Sequence, residues 1–198
     1  MHCINRLPVT GFHMYADNPI EKIFWGRMQV TNAASYLYFS KDSLLQHIVH
    51  ELKYKGNKEL GYFIGRKMGE VLLQTHRFHD IEALIPLPLF AARERKRGYN
   101  QALVLCEGMA DVLSLPILKQ VIRRAASSET QTNKNRIDRW LNMQGKFELH
   151  QPEAIAGKHV LLVDDVITTG ATLEACGQAI LTAANTRLSI MTMAYTVK

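Results

Sequence analysis

Two adjacent carboxylates, Asp164 and Asp165, close an apolar run from Val160 to Val163, and Thr168-Thr169-Gly170-Ala171-Thr172 follows three residues later. The two halves of this stretch favour different partners. A carboxylate pair repels phosphate, but it accepts hydrogen bonds from vicinal hydroxyls or holds a metal ion. The small residues and hydroxyls of 168–172 let backbone N–H groups approach an anion, and a helix starting near Thr169 would aim its positive end at it. One ligand with a vicinal diol and a phosphate on the same sugar satisfies both halves. A core strand followed by an ordinary capped helix is the plain alternative.

Two further clusters could receive a second anion. At Pro86-Leu87-Pro88 a strand must stop, because neither proline donates to a ladder, and the N–H groups beyond Pro88 could meet a diphosphate. Arg93, Lys96 and Arg97 follow with neutralising charge, unless they form only a solvated basic loop. Within Gln131 to Trp140, Arg136 and Arg139 stand three apart and would share one helical face if the segment orders over a leaving group. An exposed polar loop is the alternative there. His47 and His50 read as surface or core histidines, and Cys106 and Cys176 as helix-buried thiols.

These groups need a scaffold that brings distant loops to one edge. Val160 to Val163 lacks alternation, as a strand covered on both faces does, and ligands of open α/β sheets bind beyond the strands' carboxyl ends. Helical spacing predicts helices from Ser43 to Gly56, from about Glu59 to Thr75, from Gln101 to Leu113, and from near Thr169 to about Ala184. Gly61, Gly65 and Gly69 share a face of the second, which allows close helix packing. Strands are predicted over 82–89, 117–123, 146–149 and 188–196, with a basic loop over 93–98 and a long loop over 125–145. Residues 1 to 20 read as irregular, and 21 to 40 as a strand pair or a short helix with a strand. Alternating strands and helices indicate an α/β fold with a central, mainly parallel sheet flanked by helices.

The 198 residues suffice for one such domain, and the formal net charge of +6 favours anionic ligands. Nucleic acid competes as a partner, but aromatics do not interleave with the basic runs apart from Tyr99 and Trp140. Three cysteines without metal spacing make a disulfide framework or a CxxC site a poor fit. A cytoplasmic protein without a membrane segment is expected, as no apolar run has spanning length.

The stretch VLLVDDVITTGAT resembles the signature of type I phosphoribosyltransferases, which bind 5-phosphoribosyl 1-pyrophosphate. With IPLPLFAARERKRGYNQA and QTNKNRIDRWLNMQGKF before it, nearly the whole chain is similar to the ComF/GntX family of phosphoribosyltransferase-like proteins associated with bacterial competence. The resemblance aligns Arg97, Gly98, Asn100 and Gln101 with an RGxNQ element, Gln131, Arg136 and Arg139 with the family's loop, and Lys53 to Gly56 with KYxG. It implies the type I phosphoribosyltransferase fold, with 1–40 as lead-in and candidate hood and 41–198 as the main domain. It also implies transfer of phosphoribosyl from the pyrophosphate to an unidentified nitrogen acceptor, with magnesium as cofactor. Asp164 and Asp165 would hold the ribose diol or magnesium, the ion directly or through water, and Thr168 to Thr172 the 5′-phosphate. Arg97, Arg136 and Arg139 would stabilise departing pyrophosphate, with Pro88, Gln101 and Gln131 as further substrate contacts. A homodimer is a further expectation. A sensor or DNA-uptake accessory that keeps the pocket without transfer chemistry is the rival. Family members often begin with a zinc ribbon of two CxxC pairs; Cys3 resembles its last ligand, and one thiolate cannot build a tetrahedral zinc site.

Overall fold

The computed structural model describes residues 7–40, 44–124 and 147–196. Six helices and six strands are used here: α1 (Pro19–Phe24), β1 (Ala33–Phe39), α2 (Leu44–Tyr54), α3 (Lys58–Leu72), β2 (Ala83–Pro86), α4 (Ala91–Arg97), α5 (Gln101–Leu113), β3 (Ile122–Arg124), β4 (Phe147–Leu149), β5 (His159–Ile167), α6 (Ala171–Ile180) and β6 (Arg187–Thr196). The main sheet runs β1-β6-β5-β2, every pair parallel, and β3 and β4 form a separate antiparallel ribbon. Ile117 adds one parallel bridge outside β2, where the Leu84 N–H donates to Pro116 O and the Leu118 N–H to Leu84 O. The expected parallel sheet flanked by helices is therefore present, but its 117–123 strand is reduced to this bridge and to β3. Val160 to Val163 of β5 are fully buried, as an unalternating central strand must be.

The lead-in is less irregular than its composition indicates. Asn18 caps α1 by accepting from the N–H groups of Ile20 and Glu21, and its side-chain amide donates to Ala33 O at 2.8 Å. Glu21 pairs with Arg77, and Arg77 also donates to Tyr15 O at 2.6 Å. These bonds tie 12–33 to the residues before β2. β1 lies on the lead-in side of the expected boundary at residue 40, yet it pairs with β6 over Ala33 to Phe39. Of the two readings of 21–40, a helix with a strand is the one that forms.

The glycine face of α3 does what its spacing requires. A Cβ at Gly65 would overlap the Leu105 carbonyl, and one at Gly108 of α5 would overlap the Tyr62 carbonyl, so the two backbones touch through both glycines. That contact seats α5, which packs on β2 and β5. At the amino end of the sheet, Ser189 Oγ accepts from the Asn32 N–H at 3.2 Å and lies 2.8 Å from His159 Nε2, while His159 Nδ1 faces Asp80 at 2.9 Å. Ser189 and His159 are 0% exposed, so this Ser-His-Asp chain is a clamp between strands that no substrate reaches.

The expected basic loop at 93–98 is instead α4. Ala91 to Arg97 contains only strong helix formers, Glu94 lies in the first turn and Arg95 to Arg97 in the last, which complements the helix dipole. Gly98, at φ 76°, ends it in a left-handed conformation. No helix among the described residues is long and apolar enough to cross a membrane.

Candidate functional site

The crevice forms because neighbouring strands end at different levels. β2 stops at Pro86, opposite Val163, while β5 continues to Ile167 beside β6. Asp164 and Asp165 therefore stand inside a strand, not beyond it as expected. They are still at an edge, because past Pro86 no β2 residue pairs with them. Beyond it, only the Leu87 N–H reaches back, to Val163 O at 2.9 Å. The proline that ends β2 thus opens the sheet next to the carboxylates.

Above them lies a cavity of about 140 Å³ lined by both aspartates, Lys53, Arg93, Arg97, Gln101, Arg124 and Thr172, among others. Arg97 Nη1 donates to Gln101 Oε1 at 2.7 Å. Gln101 is 2% exposed and its amide faces Leu52 O at 3.4 Å, so it orients Arg97 and α2 rather than presenting a free amide. Pro88 lines a neighbouring cavity with Asn100, Lys119 and Arg123, while Leu87 and Leu89 take the place it was expected to fill. Gln131, Arg136 and Arg139 lie outside the described residues.

The pair is electrically uneven. Asp165 Oδ1 accepts from the Val166 N–H at 2.6 Å, and Asp165 Oδ2 meets Lys53 Nζ at 2.9 Å. Asp164 Oδ1 accepts from the Asp165 N–H at 2.8 Å. Burial, and next the Asp165 carboxylate, push Asp164 up to about 8. Near neutral pH it is then largely a neutral acid, able to donate to one hydroxyl and accept from another.

A second, smaller cavity of about 60 Å³ is lined by Thr168 to Thr172 together with Asp164. α6 begins at Ala171 rather than near Thr169, because Gly170 at φ 73° forms the turn, and it ends at Ile180. No side chain caps α6 at its N-cap, which leaves its first N–H groups available to an anion. The turn is held from outside by α1 and the residues after it. Arg27 donates to Thr169 O at 2.9 Å and pairs with Glu174, and Ile23 and Phe24 pack where a Cβ on Gly170 would go.

Three contributors are absent from the site residues expected from sequence. Arg27 belongs to the lead-in, and Lys53 is marked only by the KYxG resemblance. The Arg124 guanidinium lies 3.5 Å from the Phe90 ring centroid and 5.0 Å from that of Phe147. Burial, and next the nearby Arg93, lower its pKa, and its Nε has no partner among the described residues. Its position at the end of β3, one residue before the predicted long loop, is the signal that could have found it.

The carboxylate oxygens of the pair are largely engaged before any magnesium ion could be ligated directly. Three of the four carboxylate oxygens already receive a protein N–H or ammonium group, and among the described residues no three acidic, His or Cys side chains converge. Magnesium prefers six oxygens in strict octahedral geometry, so the pair as placed does not fit as a chelate.

A profile of the phosphoribosyl transferase domain matches residues 100–195. The DNA utilization protein YhgH of Salmonella typhi is 30% identical over 140 residues, covering 69% of this chain and 61% of the relative. Competence protein F of Haemophilus influenzae is 39% identical over 102 residues, 51% of this chain and 44% of the relative. Competence protein ComFC of Bacillus subtilis is 27% identical over 150 residues, 76% and 58% respectively. The chain thus spans about three fifths or less of these relatives' length. With the parallel sheet, the acidic pair on β5 and the uncapped turn before α6, the chain belongs to the ComF family of phosphoribosyltransferase-like proteins and has the type I phosphoribosyltransferase fold.

Proposed function

We propose that the chain binds 5-phosphoribosyl 1-pyrophosphate and transfers its phosphoribosyl group to a nitrogen acceptor. The observation that carries this is the continuity of the two cavities: Asp164 and Thr172 line both the turn of 168–172 and the basic crevice. A 5′-phosphate on the N-terminus of α6 would put the ribose diol at Asp164 and Asp165 and the diphosphate toward Arg93, Arg97 and Arg124. Attack of a nitrogen lone pair on the anomeric carbon then breaks the bond to pyrophosphate, whose growing negative charge faces three guanidinium groups. Catalysis would come from positioning and from this fixed positive field, with Arg136 and Arg139 proposed as further contributors. Magnesium belongs to this proposal only as an ion carried by the ligand's own oxygens.

The second reading is a protein that binds the ligand without transfer, with a link to competence supported by the names Competence protein F and Competence protein ComFC. Pyrophosphate release with phosphoribosyl pyrophosphate and a panel of bases and amines separates the two. Release that depends on an acceptor and falls at least tenfold in Arg97→Gln supports transfer. Calorimetric binding without release for any acceptor supports the second reading.

A further inference from the structure

Lys53 reaches the site from α2, an element remote in sequence from both anion-binding turns, and its placement is built. The carbonyl of Leu52 receives the Tyr99 hydroxyl and, at 3.4 Å, the Gln101 amide. These two side chains fix the last turn of α2 to the start of α5. From there Lys53 Nζ reaches Asp165 Oδ2 at 2.9 Å, with the two side chains 23% and 15% exposed. The surface pair Lys55–Glu51 on the same helix is 62% and 33% exposed, and pairs of that kind contribute little. Lys53–Asp165 is different: both side chains are largely buried and line the same crevice as Asp164.

We propose that Lys53 is the resident counter-ion of the acidic pair. It occupies the place on Asp165 that a directly coordinated divalent cation would need, and so confines the pair to reading hydroxyl groups. A divalent ion can then enter only with a ligand whose own oxygens hold it. The identity of those hydroxyls as a ribose diol rests on the function proposed above; the competition between Lys53 and a metal does not.

The test uses Mn²⁺ alone, titrated into ligand-free protein at pH 8 and low salt, with free Mn²⁺ followed by electron paramagnetic resonance. Lys53→Met should bind Mn²⁺ at least about tenfold more tightly than wild type, Lys53→Arg should match wild type, and adding Asp165→Asn to Lys53→Met should remove the gain. Equal affinity of wild type and Lys53→Met, or a gain that survives Asp165→Asn, overturns the assignment. Lys53→Gln, with thermal melting of each protein, guards against a loss of fold at one substitution. Phosphoribosyl pyrophosphate calorimetry on the same proteins is scored separately. No heat in wild type with the Mn²⁺ gain intact removes the ribose reading and leaves the role of Lys53 standing.

Discussion

Gly170→Ala should damage stability and the 168–172 turn together, because one atom meets two obstacles. The residue sits at φ 73°, where a side chain costs about 1–2 kcal/mol. Its new Cβ would also lie 2.6 Å from Ile23 Cγ2 and 3.2 Å from Phe24 Cε1. Phe24 is fully buried, and Ile23 Cγ2 is a branch methyl rather than the end of a flexible chain, so overpacking adds about 1–3 kcal/mol. Alanine recovers about 0.4–1 kcal/mol by restricting the unfolded chain. The net loss is about 3 kcal/mol, which lowers the melting temperature by roughly 6–12 °C in a protein of this size. Urea unfolding should show a lower midpoint at unchanged slope. Adding Ile23→Ala should return part of the loss, since the steric share depends on that side chain while the backbone share does not. Binding of ribose 5-phosphate should weaken at the same time, because α1 would push the 168–172 turn out of place. A Gly170→Ala protein within about 0.5 kcal/mol of wild type, or one for which Ile23→Ala recovers nothing, would refute the idea that α1 sets this turn.

Two further outcomes follow from the same geometry. Asp164 is raised from its ordinary 3.8 to about 8, so between these values the folded state holds a proton that the unfolded state has released. Stability should therefore fall as pH rises from about 4 to 8, by up to about 1.4 kcal/mol per unit, and urea unfolding of Asp164→Asn should lack this slope. Parallel pH profiles for the two proteins would contradict the burial of that carboxyl. Gly108→Ala should force α3 and α5 apart, since its Cβ would overlap the Tyr62 carbonyl and lie 2.7 Å from Arg66 N; a loss of about 2 kcal/mol or more is expected in urea unfolding, and a change under 0.5 kcal/mol would contradict it.

The parts of this fold visible in the sequence are those written in local pattern. The uninterrupted apolar run of β5, the amphipathic spacing of α2, α3 and α5 and the glycine face of α3 each carry their structural consequence within a few residues. α4 was missed because its charged residues look like a loop when no apolar face marks the helix, although their order suits the dipole. The level of Asp164 and Asp165 could not be read locally, because it depends on where β2 ends relative to β5. The same holds for the site's outer contributors. Lys53 and Arg124 arrive through α2 and β3, and only the packing of Tyr99, Gln101 and Phe90 brings them to the aspartates, while Arg27 reaches from the lead-in to the 168–172 turn. A short motif thus identifies the carboxylates and the 168–172 turn, while the cations near the carboxylates arrive through tertiary packing.

The central claim, that β5 and the turn before α6 hold a phosphorylated ribose, is tested most directly by calorimetry of phosphoribosyl pyrophosphate with wild type and with the Asp164→Asn, Asp165→Asn double variant, both confirmed folded by thermal melting. Each hydrogen bond to a charged group contributes about 1.5–3 kcal/mol, so wild type should bind and the double variant should bind at least about tenfold more weakly. Equal affinities, or no heat from wild type, would contradict the account.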